Sequence, residues 1–149
     1  GKTRAGAEWV RAVAEADDGV RLTCAACPGF VEFVERGEVD GDQVRVLAQR
    51  LLAPLVDAKV DTLLLGCTHY PFLARTLSDV MGRDVVLVSS ADETAFEVRS
   101  MLEGSDAAAP AGRSGTHRFL SSGDVGWFKD LGSRLLGPEL RDAEACSWP

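Results

Sequence analysis

The chain has no uninterrupted apolar run near the roughly 20 residues a helix needs to cross a bilayer. Residues 1–9 lack the charged-then-apolar order of a secretion signal. The expectation is a soluble, cytoplasmic protein with no membrane partner. Basic residues are also sparse, 16 Lys and Arg against 23 Asp and Glu, for a formal net charge of -7. A phosphate backbone is held by clustered cations, so no nucleic-acid partner is expected. Histidine is confined to His69 and His117, and cysteine to Cys24, Cys27, Cys67 and Cys146. Cys24 and Cys27 form a Cys-x-x-Cys pair that fits a redox dithiol or half a zinc site. The other candidate ligands are scattered singly rather than repeated at ligand spacing, so no metal is expected. What remains is ample material for a core, 46% hydrophobic residues in 149.

Two periodicities alternate along the chain. Ala5, Trp9, Ala12, Val13 and Ala16 recur at threes and fours, predicting a helix over residues 5–15 that stops at Asp17-Asp18-Gly19. Residues 20–26 read as a strand. Cys27-Pro28 opens a short helix through Phe30, Val31, Phe33 and Val34, closed by Gly37, and a longer helix is predicted over 41–58 with Pro54 as a kink or break. Residues 60–66, apolar without alternation, predict a strand buried on both faces. A helix over 71–81, a strand over 84–88 and a helix over 91–102 follow. This strand-helix order predicts an α/β fold, a mostly parallel sheet with flanking helices. Beyond it come a flexible loop over 103–115, a strand over 117–120, a helix over 125–136 and a loosely held tail over 137–149.

Ligands of open α/β sheets sit outside the carboxyl ends of the strands, where this chain carries Gly66-Cys67-Thr68-His69-Tyr70-Pro71. Cys67 is expected beside the amino end of the next helix, where backbone N–H groups favour a thiolate, and His69 is in reach to move its proton. By spacing alone a reactive thiol and a buried structural cysteine stand equal.

The segment Leu63-Leu64-Leu65-Gly66-Cys67-Thr68-His69-Tyr70-Pro71-Phe72-Leu73 resembles the second signature of the aspartate/glutamate racemase family, in the glutamate racemase form that the histidine distinguishes. Ala26-Cys27-Pro28 with Phe30, Val31 and Glu35, and Ser89-Ser90 with Glu93-Thr94-Ala95, resemble two further family stretches. The resemblance implies one lobe of a two-lobed, pseudo-symmetric fold plus part of the other. Residues 1–95 would form the second lobe without its first strand, and 96–149 the segment returning to the first lobe. It also implies cofactor-independent racemisation of L- and D-glutamate by two cysteine thiols on opposite faces of the α-carbon, for peptidoglycan synthesis. Cys67 matches the thiol expected to deprotonate L-glutamate, His69 the histidine that assists it, and Glu35 the acidic residue supporting that histidine or the substrate ammonium. Thr68 matches a contact to a substrate carboxylate, and Thr3 a residue lining the cleft.

Each match has a plainer alternative: a helix N-cap for Thr3, a solvated charge for Glu35 and a small buried side chain for Cys27. Cys24 and His117 match no catalytic role. Family members are nearly twice as long, and their Asp-Ser and Asn-Thr-Cys stretches have no counterpart here, so a truncated chain, inactive alone, is expected. Homodimers occur among such racemases. The competing readings are an aspartate or hydantoin racemase, a non-catalytic binding module derived from the fold, and a thiol redox protein using Cys24 and Cys27.

Overall fold

The computed structural model describes residues 11, 12, 15, 19–110 and 112–147. Its elements run α1 (Phe30–Glu35), α2 (Asp42–Asp57), β1 (Thr62–Leu65), a 3-10 turn (Tyr70–Leu73), α3 (Ala74–Met81), β2 (Val86–Ser89), α4 (Ser90–Glu103), β3 (Leu120–Ser121), α5 (Val125–Leu136), a second 3-10 turn (Gly137–Glu139) and β4 (Glu144–Ala145). β1 and β2 pair in parallel, from Thr62 opposite Val86 to Leu65 opposite Ser89, with α3 in the crossover between them. β3 and β4 form a separate parallel pair. The α/β class with parallel strands and flanking helices is therefore present.

One apolar cluster organises these pieces. α2 contributes Val44, Ala48, Leu52 and Leu55, spaced by fours and a three along one helical face, while α1 contributes Phe30 and Val34. Leu63 and Leu65 point into the cluster from alternate positions of β1, and Leu73, Leu77 and Met81 enter it at intervals of four. Pro54 lies within α2 and the helix continues past it to Asp57. A proline so close to the carboxyl end forfeits one N–H bond without leaving a long helix to disrupt.

Several expectations need correction. Residues 20–26 form no strand: extended chain becomes a strand only by pairing, and β1 pairs only with β2 among the described residues. β1 is not buried on both faces, since Leu63 and Leu65 are buried but Leu64 is 38% exposed. The burial alternates along the strand, as in one buried mainly on one face. The strand expected over 117–120 lies at Leu120–Ser121. Within residues 137–149, Leu140 is 1% exposed, and it packs so closely on Gly132 of α5 that a Cβ there would collide with it. The helix expected over 5–15 lies mostly outside the described residues, of which Arg11, Ala12 and Glu15 are helical.

α4 differs from the other long helices in burying no residue. Its start is well specified, because the Ser89 hydroxyl accepts the Asp92 N–H at 3.4 Å and Asp92 and Glu93 place negative charge at the positive end. Its apolar side chains Phe96 and Met101 are 62% and 66% exposed. Among the described residues no helix is long and apolar enough to cross a membrane.

Candidate active site

Beyond β1 the chain turns through Gly66 and Cys67 into the 3-10 turn, whose first amide, that of Tyr70, donates to the Cys67 carbonyl at 3.2 Å. The turn folds the motif back on itself and brings His69 over Cys67. The Cys67 Sγ lies 4.0 Å from His69 Nδ1, and on the far side of the ring His69 Nε2 lies 3.4 Å from Glu35 Oε1. A proton on Nε2, directed at the carboxylate, leaves the Nδ1 lone pair facing the thiol. In that tautomer the imidazole can take the thiol proton while Glu35 steadies the charge that develops. The sulfur contact is long, as catalytic hydrogen bonds often are before substrate binds. The Thr68 hydroxyl approaches the same Nδ1 at 3.5 Å.

Glu35 reaches this place through the way α1 ends. The Gly37 N–H donates to the Val34 carbonyl at 2.8 Å and the Glu38 N–H to the Phe33 carbonyl at 2.9 Å, the paired bonds of a Schellman motif. The motif needs a left-handed residue after the helix, and Gly37, with φ 73°, supplies it. Glu35 is thereby the last helical residue, and its side chain leaves toward His69. The His69–Glu35 pair is partly exposed, 35% and 45% at the side chains, so it orients the ring more than it stabilises the fold.

Cys67, Thr68, His69 and Glu35 are thus brought together, whereas Thr3 lies outside the described residues. One detail of the expected thiol environment changes. A four-residue 3-10 turn stands between Cys67 and α3, which begins only at Ala74, so the imidazole and not a long helix dipole is the group beside the sulfur. All four cysteines are free; Cys24 is exposed, and burial pushes the half-buried Cys27 thiol up. No group of three or more His, Cys, Asp and Glu side chains suited to a metal ion occurs among the described residues. One surface cavity, of about 660 Å³, is lined by Thr116, His117, Arg118, Phe119, Leu136 and Glu139, and another, of about 250 Å³, lies against α2.

Tyr70 is a site neighbour that sequence reasoning treated only as part of a motif. Its ring edge packs on Phe30 with centroids 5.5 Å apart, and its hydroxyl donates to the Cys27 carbonyl at 3.4 Å. Burial first, then the nearby Cys27 and Cys67 thiols and Glu32, pushes its phenol from 10.0 up to about 12. Because it is the single tyrosine of the chain, its ionisation can be followed alone by ultraviolet absorbance. The phenolate is expected to form near pH 12 in the folded protein and near 10 after unfolding. The unfolded chain then binds fewer protons between those values, so this group's contribution to stability is intact below pH 10 and is lost as pH rises toward 12. A native titration midpoint near 10 would contradict this burial.

Comparison with known proteins bears on this geometry. The glutamate racemase of Acidothermus cellulolyticus is 51% identical over 122 residues, spanning 81% of this chain and 46% of that protein. Over about four-fifths of its length the chain is similar to glutamate racemases. The glutamate racemase of Saccharopolyspora erythraea is likewise 51% identical over 122 residues, 82% of this chain and 45% of its own. A crystal structure of a glutamate racemase from Bacillus anthracis superposes with a TM-score of 0.84 at 32% identity, covering 97% of this chain and 53% of that one. No protein-family model matches the chain. The chain spans about half the length of the curated racemases it matches.

Proposed function

We propose that this chain is the Cys67-bearing half of a cofactor-independent glutamate racemase, in which two thiols interconvert L- and D-glutamate. The observation that carries this reading is the Cys67–His69–Glu35 relay at the carboxyl end of β1, in a chain half identical to glutamate racemases. An α-proton beside a carboxylate is very weakly acidic, so its removal needs a positioned base together with hydrogen bonds to the developing charge. Cys67, deprotonated through His69, serves as the base toward L-glutamate, and Thr68 holds a substrate carboxylate through its hydroxyl and backbone N–H. Residues 1–95 belong to the second lobe and 96–149 return toward the first, which supplies the other thiol. The D-glutamate formed would enter peptidoglycan synthesis in the cytoplasm.

Inversion needs groups on both faces of one carbon, and a single thiol serves one. The chain by itself is therefore expected to show no racemisation in a coupled assay. Adding the complementary half of a related racemase in trans is expected to restore turnover. Turnover by the chain alone would overturn the two-thiol assignment. Binding of the complementary half without turnover would favour a non-catalytic module.

A further inference from the structure

We infer that Tyr70 and Thr76 are positioning residues that hold α1 against the Cys67 turn and so set the distance from Glu35 to His69. The inference rests on the proposed role of Cys67, His69 and Glu35 and extends it to two side chains with no part in the chemistry.

α1 is six residues long and has no side-chain cap at its start, so it cannot fix its own position. Besides the core packing of Phe30 and Val34, four contacts from elsewhere do so. At its amino end the Tyr70 hydroxyl donates to the Cys27 carbonyl at 3.4 Å, and the Tyr70 ring edge meets Phe30, which is 1% exposed. Beyond its carboxyl end the Thr76 hydroxyl, on a residue 2% exposed, donates to the Val39 carbonyl at 2.8 Å. A hydroxyl so deeply buried would be unfavourable without that acceptor, which makes the bond a specific tether. On the far side the Arg134 guanidinium of α5 donates to the Arg36 carbonyl at 3.4 Å.

Tyr70 directly follows His69, and Thr76 lies seven residues beyond it in α3. The stretch that carries His69 therefore grips α1 on both sides of Glu35. The two halves of the relay come from segments far apart in sequence, and these two hydroxyls are side-chain bonds that tie those segments together. Releasing either lets the helix drift and lengthens the His69–Glu35 contact while leaving both residues intact.

The test uses the full 149-residue chain and needs no turnover. Alkylation of Cys67 by iodoacetamide is followed by peptide mass spectrometry, with exposed Cys24 as internal reference. Tyr70→Phe and Thr76→Val are each made alone and in a Glu35→Ala background. In the parent background each is expected to slow Cys67 alkylation about fivefold, the factor set by one net hydrogen bond. In the Glu35→Ala background neither should slow it further, because a residue acting through Glu35 has nothing left to position. Thr76→Ser should restore the parent rate. Equal slowing in both backgrounds, or no slowing in the parent, overturns the inference while leaving the relay in place. An unchanged rate in Glu35→Ala itself overturns the relay and the positioning roles together. Should Thr76→Val fail to fold, Tyr70→Phe, which keeps the ring against Phe30, decides alone.

Discussion

Serine in place of Cys67 is expected to slow α-proton exchange from L-glutamate by about 10² to 10⁴-fold, the range a positioned general base contributes. The reason lies in the geometry at β1. The thiol stands 4.0 Å from an imidazole that can take its proton, and a hydroxyl in the same place is a far poorer acid that His69 cannot ionise to a useful extent. The measurement is exchange of the α-hydrogen with deuterated solvent, made on the assembly of this chain with the complementary half of a related racemase. Starting from L-glutamate, exchange should be lost more severely than from D-glutamate, because the proposed mechanism gives the D-enantiomer to the other thiol. Equal loss from both enantiomers would place Cys67 on neither face in particular.

Phe30→Ala is expected to lower the unfolding free energy by about 3 to 5 kcal/mol, as deletion of a large buried aromatic does. Few domains can lose so much, since total stabilities run from about 5 to 15 kcal/mol. Phe30 is 1% exposed at the start of α1 and belongs to a core cluster that also holds residues of α2, β1 and α3. It also takes the edge of the Tyr70 ring, so its removal should loosen the Cys67 turn along with the core. Urea unfolding followed by circular dichroism should show a lower midpoint with an unchanged slope. A loss below about 1 kcal/mol would mean that α1 is not anchored through Phe30.

Long helices were the part of the fold most legible in the residues. The apolar spacing of Val44, Ala48, Leu52 and Leu55 marked α2 to within a residue at each end, and residues 125–136 matched α5. A helix satisfies its own backbone bonds, so its signal is local. Strands were less legible for the complementary reason. Residues 20–26 have strand-like composition but pair with no strand among the described residues, and Leu64 sits in an apolar run yet is 38% exposed. The relay was legible only in part. Cys67 and His69 stand two apart in one motif, but Glu35 lies 34 residues before His69 and was singled out through family resemblance rather than spacing. Tyr70 and Thr76 carried no separate signal, because what distinguishes them is the acceptor each finds on another segment.

By itself the order of residues determined the α/β class, the extents of the long helices and a thiol two residues from an imidazole at the tip of a strand. Those features rest on interactions between near neighbours in the chain. Tertiary structure alone decided that the Glu35 carboxylate meets the far nitrogen of that imidazole, that α1 is gripped at both ends, and that α4 keeps its apolar side chains outside the core. Each of these depends on where separate elements come to rest against one another. That position is set by the sum of many packing contacts, and no single motif records it.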